Sequence, residues 1–192
     1  MDKRRYVKML LAAVLSASMI IMLAACGGGS SQDGGTSTDS DSSDSTGAVV
    51  SFETVDVDGN PVSSKDIFAA NKVTMINIWG TFCGPCVKEM PEIQKISEEY
   101  ASKGAGVIGL VCDLPVGDDT YLADAKDIIE TTGVKYLNIR AWDGSEDVMP
   151  STAVPSTYFV DSEGRLIGEK IAGAKLDQYA PALDALLEEA GQ

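Results

Sequence analysis

Cys83 and Cys86, separated by Gly84-Pro85, constrain this 192-residue chain more than any other feature. The pair falls between an apolar, β-branched run, Val73–Trp79, and a stretch of helical periodicity that opens at Pro85. A junction of buried strand and helix puts the first thiol at a helix N-terminus, where backbone N–H groups lacking intrahelical partners favour a thiolate. The second thiol then lies one turn in, close enough to close a disulfide with the first. Such a pair holds two electrons as two thiols and releases them as one disulfide. An inert disulfide staple is the plainer alternative, although staples rarely close so small a loop at such a junction.

The chain contains no histidine. That excludes Ser-His-Asp and Cys-His hydrolases, a haem site needing Cys-x-x-Cys-His, and His-containing zinc or copper sites. With no second Cys-x-x-Cys either, no metal is expected. Acid–base work is left to carboxylates, thiols, lysine and tyrosine. The formal charge is −14, and discounting the basic leader makes the remainder more negative still. Such a chain repels nucleic acid and anionic surfaces, so no nucleic-acid partner is expected.

Three segments follow from composition. Residues 1–25 begin with Lys3-Arg4-Arg5-Tyr6-Val7-Lys8 and continue as an uncharged, apolar run from Met9 to Ala25, a secretory-signal pattern. Leu23-Ala24-Ala25-Cys26 resembles the lipobox of bacterial lipoproteins, in which cleavage leaves the cysteine as a lipid-modified N-terminus. An uncleaved membrane anchor is the alternative. Either reading places the rest outside the cytoplasmic membrane, and the first anchors it to the lipid bilayer through Cys26. Residues 26–47 hold that cysteine and then mostly Gly, Ser, Thr and Asp. They cannot bury enough apolar surface to offset ordering entropy, and read as a flexible tether. Residues 48–192 have the length of one domain.

Within that domain, Val49–Val57 has strand composition and Asp58-Gly59 marks a hairpin turn before Asn60-Pro61-Val62. Ser63 or Ser64 caps a short helix reaching Ala70. Val73–Trp79 reads as a buried strand, and residues 85–102 as a helix with Pro91 inside it. The spacing of Val87, Met90, Ile93, Ile96 and Tyr100 gives that helix its apolar stripe. Val107–Cys112 is a second buried strand, Tyr121–Thr132 a helix ended by Gly133, and Leu137–Ala141 a short strand. Ser156–Val160 and Arg165–Lys170 form a hairpin, and Leu176–Ala190 a last helix. Strands separated by helices require parallel crossovers, and the closing hairpin adds antiparallel strands. The expected fold is α/β.

The stretch Asn77-Ile78-Trp79-Gly80-Thr81-Phe82-Cys83-Gly84-Pro85-Cys86-Val87-Lys88-Glu89-Met90-Pro91, together with Val154-Pro155-Ser156-Thr157-Tyr158-Phe159-Val160-Asp161, resembles the thioredoxin-fold redoxins of the TlpA/ResA-like branch. The resemblance covers roughly residues 49–190. Asn77 stands where thioredoxin itself usually has Asp, which favours this branch, and Phe82 stands where the family often has Trp.

The resemblance implies a central mixed sheet flanked by helices, with an N-terminal β-hairpin extension. It implies no cofactor beyond a redox-active Cys83–Cys86 disulfide, with an exposed Cys83 as nucleophile and Cys86 as the resolving thiol. Glu89 would accept or relay the resolving thiol's proton, with Asn77 in support; an ordinary solvated glutamate and a purely structural asparagine are the alternatives. Trp79, Phe82, Gly84, Pro85, Val154 and a cis Pro155 would shape the substrate groove. Cys112 is left over and reads as a buried free thiol, with a third redox thiol as the alternative.

The activity so implied is an extracytoplasmic, membrane-tethered thiol–disulfide oxidoreductase acting mainly as a reductant. The Gly-Pro dipeptide is that of thioredoxin, whose potential lies near −270 mV. Its partners would be disulfides of secreted proteins, such as apocytochrome c or sulfoxide reductases, and a membrane thiol-electron transporter as donor. Two other classes stay open: a thiol peroxidase, which would need Arg140 or Arg165 beside one cysteine, and a non-enzymatic solute-binding lipoprotein with a structural disulfide.

Overall fold

Val73–Trp79 is the central strand of the sheet, and every one of its residues is buried. It is β3 of a computed structural model that describes residues 47–191. The basic leader, Cys26 and the tether lie outside the described residues. Preceding β3 are β1 (Glu53–Val55), β2 (Pro61–Ser63) and α1 (Ser64–Ala69). After it come α2 (Gly84–Ala101), β4 (Ala105–Pro115), α3 (Leu122–Thr132), β5 (Leu137–Ala141), α4 (Ser145–Val148), β6 (Ser156–Asp161), β7 (Leu166–Ala172) and α5 (Leu176–Glu189).

The main sheet has the order β5-β4-β3-β6-β7. β3 pairs parallel with β4, and β4 with β5, through helical crossovers. β6 returns antiparallel to β3 and makes a hairpin with β7. This is the expected mixed sheet, with β1 and β2 as a separate hairpin. Asp56 fixes the turn of that hairpin: its carboxylate accepts from the Asp58 and Asn60 amides at 2.8 Å each.

Alternation along β3 decides what each face holds. Val73, Met75 and Trp79 face a core shared with Met90 and Ile93 of α2, Ala125 of α3, and Tyr179 and Leu183 of α5. Ile76 and Ile78 face a second core containing Phe52, Phe68 of α1, Ile139 and Met149. Each fully buried aliphatic side chain stabilises the fold by about 1.5–3 kcal/mol. Both faces are therefore covered, which is what a strand buried along its whole length requires.

Several expected elements differ in detail. Val49–Val57 is not one strand: only Glu53–Val55 pairs with β2, and Val49 makes an isolated bridge to Arg165. Ser63 occupies the cap position of α1 without a side-chain bond, while the Ser64 hydroxyl accepts from the Phe52 amide at 3.0 Å. β4 runs beyond Cys112 to Pro115 because its polar end is paired across an irregularity to β5. The short α4, entered through a left-handed Gly144, has no counterpart among the elements expected from the sequence.

Candidate active site

Cys83 is the N-cap of α2, in extended conformation, and its sulfur accepts from the Cys86 amide at 3.2 Å. The two cysteines form a disulfide. Gly84 opens the helix, and Pro85 sits in the first turn, where a missing N–H costs no intrahelical bond. The arch before the helix is held from β4. The Asp113 carboxylate accepts from the Thr81 amide at 3.1 Å and from the Thr81 hydroxyl at 2.5 Å. These bonds fix the backbone that delivers Cys83 to the helix terminus.

Cys83 is not the exposed residue expected from its position: it is only 5% exposed, and Cys86 is fully enclosed. The sulfur of Cys83 packs against its partner and stands 3.6 Å from the Val154 carbonyl oxygen. Of the two cysteines, only Cys83 retains a solvent-facing edge. The Val154–Pro155 peptide bond is cis. Phe82, beside the pair, is 71% exposed. Gly84 and Pro85 are exposed too, Val154 is half-buried and Pro155 buried.

Trp79 does not join them. It is fully buried, and its indole N–H donates to the Asn138 side chain at 2.9 Å. The ring turns into the sheet because Gly109, on the intervening β4, leaves room for it to reach β5: a Cβ there would come within 2.9 Å of the indole nitrogen. Trp79 is therefore a core residue behind the site rather than a wall of a groove.

One turn past Cys86, Glu89 is 2% exposed and belongs to the buried stripe of α2. It is not a solvated surface glutamate. Asn77 donates to its carboxyl at 3.2 Å, and the Tyr179 hydroxyl lies 3.2 Å from both carboxyl oxygens. Burial raises its pKa from the ordinary 4.5 to about 7, against the two donors, which act in the opposite direction. Asn77 also donates to Thr157 at 3.1 Å, two residues beyond the cis proline. Tyr136 is buried nearby, its own pKa raised mainly by burial and further by the Glu89 charge.

Sequence reasoning picked out Asn77 and Glu89 but missed Asp113, Thr157 and Tyr179, which come from β4, β6 and α5. Of these, only Thr157 was hinted at, by the need of a buried Asn77 for partners.

Cys112 is a free, half-buried thiol. Burial first, and the neighbouring Asp113 charge second, raise its pKa to about 11. Arg140 is committed elsewhere: it donates to the carbonyls of Pro115 and Asp118 and pairs with Asp119 at 2.7 Å. Arg165 pairs with Asp161 and Glu163. Neither arginine is drawn to the disulfide by these contacts. Among the described residues, no group of three or more His, Cys, Asp or Glu side chains is arranged to hold a metal.

The arrangement is one sulfur at a helix terminus, a second enclosed behind it, and a carboxyl that titrates near neutrality one turn away. It suits thiol–disulfide exchange with an internal proton acceptor. A family model described as Redoxin matches residues 42–186. The chain is 30% identical over 125 residues to the thiol-disulfide oxidoreductase ResA of Bacillus thuringiensis (strain Al Hakam), across 64% of this chain and 66% of that protein. It thus spans just under two thirds of that relative's length. It is 28% identical over 141 residues to a ResA of Bacillus cereus, across 72% of this chain and 73% of that protein. A thioredoxin-family thiol:disulfide interchange protein from Chlorobium tepidum shares the fold, with a TM-score of 0.59 at 24% identity, over 76% of this chain and 96% of its own. A strand–CGPC–helix junction within a mixed sheet, and a family match across nearly the whole described domain, show that this chain belongs to the Redoxin family.

Proposed function

We propose that this protein is a thiol–disulfide oxidoreductase, tethered outside the cytoplasmic membrane through a lipidated Cys26, that reduces disulfides of secreted client proteins. The observation that carries the reading is the placement of Cys83 as helix cap beside the Val154 carbonyl, with Cys86 enclosed behind it. Relatives whose names state the same activity support it.

The reaction begins from the reduced pair. Helix-terminal N–H groups stabilise the Cys83 thiolate and lower its pKa below the free value of about 8.5. The thiolate attacks one sulfur of a client disulfide, forming a mixed disulfide and expelling the other client sulfur as a thiolate, which takes a proton from solvent. Extended client backbone lies along Val154 like an added strand, beside Phe82, Gly84 and Pro85. The Cys86 thiol then gives its proton to the Glu89 carboxylate and attacks the Cys83 sulfur. The Cys83–Cys86 disulfide forms, and the second client sulfur leaves. Two electrons have passed from the dithiol to the client. A membrane thiol-electron transporter restores the dithiol, since no reducing pool lies outside the membrane. The client classes are the disulfides of apocytochrome c and of sulfoxide reductases.

Cys86→Ser tests the mechanism. It removes the resolving step, so mixed disulfides accumulate through Cys83. Non-reducing gels and mass spectrometry should find client proteins joined to Cys83, and Cys83→Ser should abolish the adducts. Absence of adducts in Cys86→Ser, or their persistence in Cys83→Ser, contradicts the reading.

A further inference from the structure

Glu89 is held by a closed set of hydrogen bonds whose donors can be counted. Asn77 gives one amide hydrogen to Glu89 at 3.2 Å and one to the Thr157 hydroxyl oxygen at 3.1 Å. The Tyr179 hydroxyl donates to Glu89, standing 3.2 Å from both carboxyl oxygens. All four side chains are buried, three of them completely and Glu89 to 2% exposure. Bulk water therefore does little to screen them or to replace a missing partner.

This arrangement has a direction. Both partners of the carboxyl, Asn77 and Tyr179, donate to it, which is the pattern that stabilises a carboxylate rather than a carboxylic acid. Burial acts against it. The titratable groups facing Glu89 are Tyr179 from α5, Tyr136 from the segment before β5, and Cys86 on its own helix; Asn77 and Thr157 stay neutral. Neither tyrosine carries a positive charge, so among these groups the ionised form is supported by donated hydrogen bonds alone.

We propose that Tyr179 is a positioning residue for the thiol chemistry: its hydroxyl, in reach of both carboxyl oxygens, holds the Glu89 carboxyl in the ionised state in which it can take the Cys86 proton. This rests on the oxidoreductase reading for the use made of that proton, and on the hydrogen-bond geometry alone for the state of Glu89. It also ties the last helix to the carboxyl one turn past Cys86, so that α5 helps set the proton affinity behind the disulfide.

Tyr179→Phe keeps the ring and removes the hydroxyl. Two measurements separate its consequences. The first is a pH titration of the Glu89 side-chain carboxyl by carbon NMR, using the full oxidised chain, which needs no activity. Loss of a hydrogen bond to a charged group should raise the midpoint by about one pH unit or more. The second is the pH dependence of mixed-disulfide release by the reduced chain with a peptide disulfide, whose midpoint should move upward with it. Replacing tyrosine by 3-fluorotyrosine, a stronger hydrogen-bond donor, should shift both midpoints downward, and it serves if Tyr179→Phe does not fold. A Glu89 midpoint unmoved in the folded variants overturns the proposal. A midpoint that moves in a chain exchanging no disulfides keeps Tyr179's hold on Glu89 and overturns the oxidoreductase reading instead.

Discussion

Glu89 is the residue whose environment departs furthest from its neighbours in sequence. Lys88 and Glu92 bracket it as an ordinary charged helix surface, and nothing local marks it as buried. Asn77 and Tyr179 supply the polar partners that allow a carboxyl to be enclosed there. The same burial makes it a stability sensor. A carboxyl whose folded pKa lies above its unfolded one binds its proton more tightly when folded. Its cost is absent below pH 4.5, where both states are protonated, and complete above about pH 7. Wild type should therefore lose roughly 3 kcal/mol of stability relative to Glu89→Gln between about pH 4 and pH 8. Urea melts of the oxidised proteins at the two pH values check this. Parallel loss in both proteins would show that Glu89 ionises freely in the fold.

Among the elements, β3 and its crossing to β5 position the site. The Trp79 indole reaches Asn138 across β4 only because residue 109 has no side chain. Gly109→Ala places a Cβ on the Asn138 oxygen. It should destabilise the protein by about 1–3 kcal/mol through loss of that buried hydrogen bond, read as a lower urea midpoint at unchanged slope. An unchanged midpoint would mean the indole has another way to sit. The limits of sequence reading appear at the same place. Val73–Trp79 and Leu137–Ala141 were legible to the residue, because a mainly apolar, β-branched run and a short run between turn signals both read as strand. Cys83–Cys86 was legible as a helix-opening pair because Gly84-Pro85 suits a first turn. Trp79 was misplaced because its burial depends on Gly109 and Asn138, residues of two other strands. The α4 turn was missed because four residues carry no periodicity. Tyr179 was invisible as a site residue because it looks like one more core aromatic of an amphipathic helix.

For the molecule as a whole, charge and the proposed attachment bear on where the chemistry takes place. The chain as a whole carries a net charge of −14, which disfavours anionic lipid headgroups unless a covalent anchor holds the protein there. Cys26 would be that anchor, joined to the domain through the Gly/Ser/Asp segment. In a bacterial host expressing the full chain, Cys26→Ser should move the protein from the membrane fraction to the soluble secreted fraction, with disulfide reduction in vitro unchanged. Persistence at the membrane would point to an uncleaved apolar leader instead. The proposed mechanism needs unequal thiols: a Cys83 made acidic by its place at the helix terminus, an enclosed Cys86, and a Cys112 suppressed by burial and by Asp113. Alkylation of the reduced native protein with iodoacetamide across roughly pH 5 to 9, followed by peptide mapping, measures that inequality directly. Cys83 should react first, with a midpoint below the free thiol value of about 8.5, while Cys112 stays unmodified in the folded chain. A Cys83 that titrates like a free thiol, or a Cys112 that is modified before it, would contradict the proposed chemistry.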